Sequence, residues 1–210
     1  MASVPADRAG GAGPKGEAIA SAALRLFLRD GYERTSVDAI AAEAGVSKRT
    51  IYNRYGDKET LFLSVLRDTF SGLMAEFGRI ADAHLTNVTD VERDLAGYAR
   101  EAAMAITMSA ERGRLIRLIF AEAPHFPALL RQQARSQTMS GILAQRLAAM
   151  AEAGWLDIDD PDEAAEHLLA LTTGQINNRS MFGVVEVSDT DIDRIVSSGV
   201  RAFVRAYRPT

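Results

Sequence analysis

Apolar side chains recur at helical spacing along almost the whole chain, and polar breaks cut the pattern into segments. Ile19, Ala23, Leu26 and Phe27 make a first stripe that Asp30-Gly31 ends. Val37, Ile40, Ala41 and Ala44 make a second, short one. Thr35 or Ser36 caps its start, Asp38 lies in its first turn and Gly45 stops it. Ser47 opens a third short helix, KRTIYNRY, which ends at Gly56. Asp57 caps a long helix with a stripe at Phe62, Leu66, Thr69, Leu73, Phe77 and Ile80. After the polar break LTNVTD come helical runs at roughly 91–109, 112–123, 127–154, 161–182 and 189–207. The single β-like stretch, GVVEV, is too short for a sheet and reads as a link. The pattern predicts an all-α protein of about nine helices. A flexible N-terminal arm over 1–15 precedes a three-helix head over 16–62 and a larger helical bundle over 63–210.

Composition removes several kinds of chemistry. The chain of 210 residues has no cysteine, so disulfides, thiolate metal sites and thiol nucleophiles are excluded. Its three histidines, His84, His125 and His167, are far apart in sequence. No apolar run reaches membrane length, and the N-terminus has no apolar signal core, so a cytoplasmic protein is expected. Gly11, Gly13 and Gly16 spell G-x-G-x-x-G, but no strand precedes them and no βα alternation follows, so no dinucleotide is expected there. A di-iron bundle needs Glu-x-x-His on two helices; only Glu122–His125 has that spacing, and Pro124 interrupts it. The pattern gives no cofactor, no metal and no enzyme. A helical protein–protein adaptor and, last, a helical-bundle enzyme are the alternatives, and the charge distribution speaks against the adaptor. The net charge is −4, yet residues 44–56 hold Lys48, Arg49 and Arg54 and no acid. A basic patch on an acidic body suits contact with phosphate at one place.

That patch lies in a helix-turn-helix pattern, SVDAIAAEAGVSKRTIYNRY. Ala44-Gly45-Val46 makes the turn. On the second helix Lys48, Arg49, Tyr52 and Asn53 fall on one side, and Ile51 falls on the other. Arg matches guanine O6/N7 and Asn matches adenine N6/N7 in the major groove. Ser36, Thr50, Tyr52 and Lys58 are placed for phosphate contacts, and the helix starts at Ser36, Ser47 and Asp57 add amide donors.

The stretch GYERTSVDAIAAEAGVSKRTIYNRYGDKETLF resembles the DNA-binding domain of the TetR family of bacterial transcriptional regulators. Ala41, Ala44, Gly45, Val46, Ser47, Thr50, Ile51, Tyr52, Tyr55 and Lys58 fill the family's motif positions. Arg54 departs from the usual His or Tyr, and Tyr55 from the common Phe; a base at 54 should strengthen phosphate contact. RLIFAEAPHFPALL resembles one subgroup of effector domains. The resemblance implies a homeodomain-like DNA-binding head whose contacts are Ser36, Ser47, Lys48, Arg49, Thr50, Tyr52, Asn53, Arg54, Tyr55 and Lys58. It implies a palindromic double-stranded operator, a homodimer, and release by a small, mostly apolar effector. The usual role is that of a repressor, although the residues do not separate repressor from activator.

For the effector pocket the candidates are Phe70, Met74, Phe77, Met104, Met108, Phe120, Phe126, Trp155, Asn177, Asn178, Arg179 and Phe182. For the dimer face they are Leu168, Leu171, Thr172, Ile192, Ile195, Val196, Gly199, Phe203 and Tyr207, which line the last two helices. The alternative is that both stripes face the chain's own core.

Overall fold

A computed structural model describes residues 13–107, 109–126 and 138–209. The chain divides into two compact units, Met1–Ser71 and Gly72–Thr210, within one long helix. The sequence pattern had suggested a boundary at Phe62, earlier on that helix.

The first unit starts with α1 (Pro14–Asp30), two residues before the predicted start of the head; the earlier part of the predicted arm, with Gly11, lies outside the described residues. Proline suits this position because the first helical N–H has no intrahelical partner in any case. α1 buries Ile19, Ala22, Ala23, Leu26 and Phe27. α2 (Val37–Ala44) is capped by Ser36, whose Oγ accepts the Ala39 N–H at 3.1 Å. Thr35 is buried instead and donates its hydroxyl to the Gly31 carbonyl at 2.7 Å. Gly45, at φ 65°, closes α2 in the left-handed conformation that glycine adopts without strain. α3 (Lys48–Tyr55) follows after three residues, the last of them its cap, Ser47. Asp57 Oδ1 then accepts the Thr60 N–H at 2.7 Å at the start of α4 (Lys58–Leu85). The core of this unit is apolar and aromatic. The rings of Phe27 and Phe62 meet edge to face at 4.9 Å, Tyr32 lies 4.8 Å from Phe62, and Ile40 and Ile51 are fully covered.

The second unit holds the rest of α4, α5 (Val91–Thr107), α6 (Ala110–Glu122), α7 (Met139–Glu152), α8 and α9 (Asp189–Ala206). α8 begins at Pro161–Leu169, widens into a π-helical turn at Ala170–Gly174 and ends as Gln175–Ser180. Counted this way there are nine helices and no strand among the described residues. GVVEV is indeed a link. Met181 and Phe182 enter it at φ 49° and 54°, a strained region for residues with a side chain. The link is held down on α6: Arg117 donates to the Phe182 carbonyl, and Gly113 leaves room for that oxygen, which a methyl group there would meet at 2.5 Å.

α9 packs on α5 and on the π turn of α8. Gly199 makes the close approach possible, because it lies directly against the Leu171 carbonyl. This packing covers most of the residues predicted for the dimer face within the chain itself, which is the alternative the sequence left open. Ile192, Ile195, Val196 and Phe203 are 1–2% exposed, Leu168 and Thr172 no more so, and Gly199 is buried. They form the core of their own chain, where burial of an apolar stripe is worth most. Of that set only Leu171, at 39%, is exposed, with Tyr207 half-buried.

The histidines serve as structural partners. His84 Nε2 lies 2.7 Å from Glu101, His167 Nδ1 lies 2.7 Å from the Tyr207 hydroxyl, and His125 is 3.6 Å from Glu122. Among the described residues no three His, Asp or Glu side chains are grouped to hold a metal ion, and no helix is long and apolar enough to cross a membrane.

Candidate nucleic-acid interface

α3 has one buried side and one open side, which follows from its sequence. Ile51 (1% exposed) and Tyr55 (8%) anchor it to the head. Lys48, Arg49, Tyr52 and Asn53 are exposed on the surface, with the Tyr52 ring 42% accessible. The helix start is rigid: Ser47 Oγ accepts the Thr50 N–H at 3.1 Å and hydrogen-bonds the Thr50 hydroxyl at 2.8 Å. The result is a short rod that presents two cations, an amide and a phenol from a fixed base.

Three of the predicted contact residues have structural partners of their own. Lys48 Nζ donates to Asp38 Oδ2 at 2.9 Å, and that carboxylate raises the ammonium above its ordinary pKa. Lys58 Nζ sits 4.2 Å from the centre of the Tyr32 ring and donates to the Glu33 carbonyl at 3.3 Å. Tyr55 is buried as well: it is 8% exposed, and its ring belongs to the core of the head and fixes α3 in place.

Arg54 folds back toward the start of α1. A methyl group at Gly16 would lie 2.5 Å from its Nη2, and its Nε is buried with no hydrogen-bond partner among the described residues. Lys15, Ile19, Thr50, Asn53 and Arg54 line an open cleft of about 400 Å³ between α1 and α3. The sequence pattern missed Lys15 and Gly16 because it placed Lys15 in the flexible arm and Gly16 at the first position of the head, before the first apolar stripe. The helical signal that would have included them is Pro14 followed by Glu17 in a first turn.

The predicted effector residues do not share one environment. Met74, Phe77 and Phe126 are buried, and Phe70, Met104, Asn177 and Phe182 are half-buried. Phe70 belongs to the first unit and the others to the second. Phe120 is 62% and Trp155 41% exposed, and Asn178 and Arg179 are also exposed, so these four do not line an enclosed cavity. Met108 lies outside the described residues.

Comparison with known proteins agrees with this geometry. Residues 19–65 match the bacterial regulatory proteins of the tetR family, and residues 94–209 match the AefR-like transcriptional repressor C-terminal domain. A DNA-binding transcriptional repressor TetR from Mycobacteroides abscessus is 31% identical over 132 residues, which are 62% of this chain and 58% of that protein. A crystal structure of a TetR-family regulator from Mesorhizobium loti superposes with a TM-score of 0.84 at 30% identity, covering 92% of this chain and 96% of the other. The flavonoid-responsive regulator FrrA superposes at 0.67 with 31% identity, covering 94% and 99%.

Proposed function

Because the chain belongs to the TetR family of bacterial transcriptional regulators, we propose that it represses transcription by holding a palindromic operator as a homodimer until a small ligand enters its second unit. The family consists of DNA-binding regulators and not of enzymes. The observation that carries the reading is α3: a capped, anchored helix whose free side holds Lys48, Arg49, Tyr52 and Asn53 directly after the turn at Gly45 and Val46. Arg49 and Asn53 read base edges, while Lys48, Tyr52, Thr50 and Ser36 fix the register on phosphate. One helix of this length covers too few base pairs for useful specificity, and a two-fold pair doubles the reading.

Release requires a ligand that binds the non-binding arrangement better than the DNA-bound one, since only a difference in affinity shifts such an equilibrium. The mostly apolar interior of the second unit suits a small apolar or aromatic effector. FrrA responds to flavonoids, so flat phenolic compounds are the first class to assay. The test is operator affinity measured with and without a saturating hydroxylated flavone, then with apolar carboxylic acids. A fall of tenfold or more with one class supports ligand-controlled release. Unchanged affinity throughout rejects this part of the reading.

A further inference from the structure

We propose that the cleft between the start of α1 and α3 is a socket for one phosphate of the DNA backbone, gripped by Arg54 and Lys15 and made possible by the missing side chain of Gly16. This rests on the reading of α3 as the helix that meets DNA.

Two cations of the head meet in the cleft. Arg25, Arg29 and Lys48 each have a carboxylate partner, Glu43, Asp30 and Asp38 respectively. Lys15 and Arg54 have none among the described residues, although they line the same cleft. Two like charges in one concave, partly apolar site repel, and the buried Nε of Arg54 loses water without gaining an acceptor. An oxyanion seated between them, accepting from the Arg54 Nη groups and the Lys15 ammonium, removes the repulsion. A phosphate diester fits the fork of a guanidinium, and the Thr50 and Asn53 side chains stand at the same wall.

The source is the duplex and not free phosphate. Asn53 and Arg54 follow directly on Tyr52, so an occupied socket places a backbone phosphate beside the groove that the open side of α3 enters. Gly16 is the selective feature. Any larger residue there displaces the guanidinium, which is the flexible end of its side chain, without disturbing the backbone.

The experiment compares the full-length wild type with Gly16→Ala, Arg54→Gln and Lys15→Gln. Each is titrated by fluorescence anisotropy against a duplex recovered by the wild type from a random pool, over a series of salt concentrations. Each single substitution should lower affinity about tenfold for all sequences alike and reduce the salt slope by about one. Gly16→Ala should keep or raise the unfolding temperature, since alanine favours a helix interior over glycine. The double variant Gly16→Ala/Arg54→Gln should bind like Arg54→Gln alone, because Gly16 acts through Arg54. In ¹⁵N spectra the Arg54 Nε–H signal should move when duplex is added and stay in place with inorganic phosphate at equal ionic strength. Wild-type binding with unchanged salt slope in Gly16→Ala and Lys15→Gln overturns the socket while leaving the DNA reading intact. A shift with inorganic phosphate overturns the assignment to the duplex. Absence of binding by the wild type would instead remove the reading on which the socket rests.

Discussion

Lys48 on α3 is hydrogen-bonded to Asp38 on α2 at 2.9 Å, so the first cation of the exposed helix carries a carboxylate partner in the free protein. Both side chains are exposed, and a pair of this kind contributes little to stability. Its consequence is for binding. To reach phosphate, Lys48 must leave Asp38, and Asp38 then faces the phosphate as a like charge.

Asp38→Asn is therefore expected to tighten DNA binding by roughly two- to fivefold and to steepen its salt dependence. The gain should be largest for non-specific duplex, where phosphate contact is the whole of the interaction. Anisotropy titration of wild type and variant at two salt concentrations checks it, and weaker binding by the variant would show that Asp38 positions Lys48 instead of competing for it.

The stripe on α9 was read from sequence as a subunit interface and lies in the chain's own core. Ile195→Val should accordingly cost about 0.5–1.5 kcal/mol of unfolding free energy. The loss should be the same at low and high protein concentration. A loss that grows on dilution, measured by chemical denaturation across a concentration series, would place Ile195 between subunits.

Tyr98 is fully buried in the second unit, and its hydroxyl has no hydrogen-bond partner among the described residues. Burial pushes the phenol pKa well up, so it stays neutral at any working pH. Tyr98→Phe removes a polar atom left without compensation and should stabilise the protein by about 1 kcal/mol, or a few degrees in Tm. A drop in Tm would mean that the oxygen does have a partner in solution.

The sequence made the elements legible because local signals agreed with one another. Ser36, Ser47, Asp57 and Ser188 each sit at a helix start and each caps it, and Gly45 and Gly56 each end a helix. Two features were not legible for a physical reason. An apolar stripe such as Ile192–Phe203 says that a helix buries one side, and it does not say whether its own chain or a second one covers it. The exposure of Tyr55 could not be read either, since on a helix of eight residues one position at the edge of the stripe can face inward or outward. The cleft at Gly16 was hidden because a glycine next to Pro14 and Gly13 reads as loop, and its role appears only when Arg54, far along the chain, is laid against it.

The most direct test of the whole account is selection of bound duplexes from a random-sequence pool by the purified full-length chain. Two α3 helices related by a two-fold axis require enrichment of an inverted repeat whose half-sites are centred about one helical turn apart, or a multiple of it. Enrichment of no sequence, or of a single unrepeated site, would contradict that arrangement.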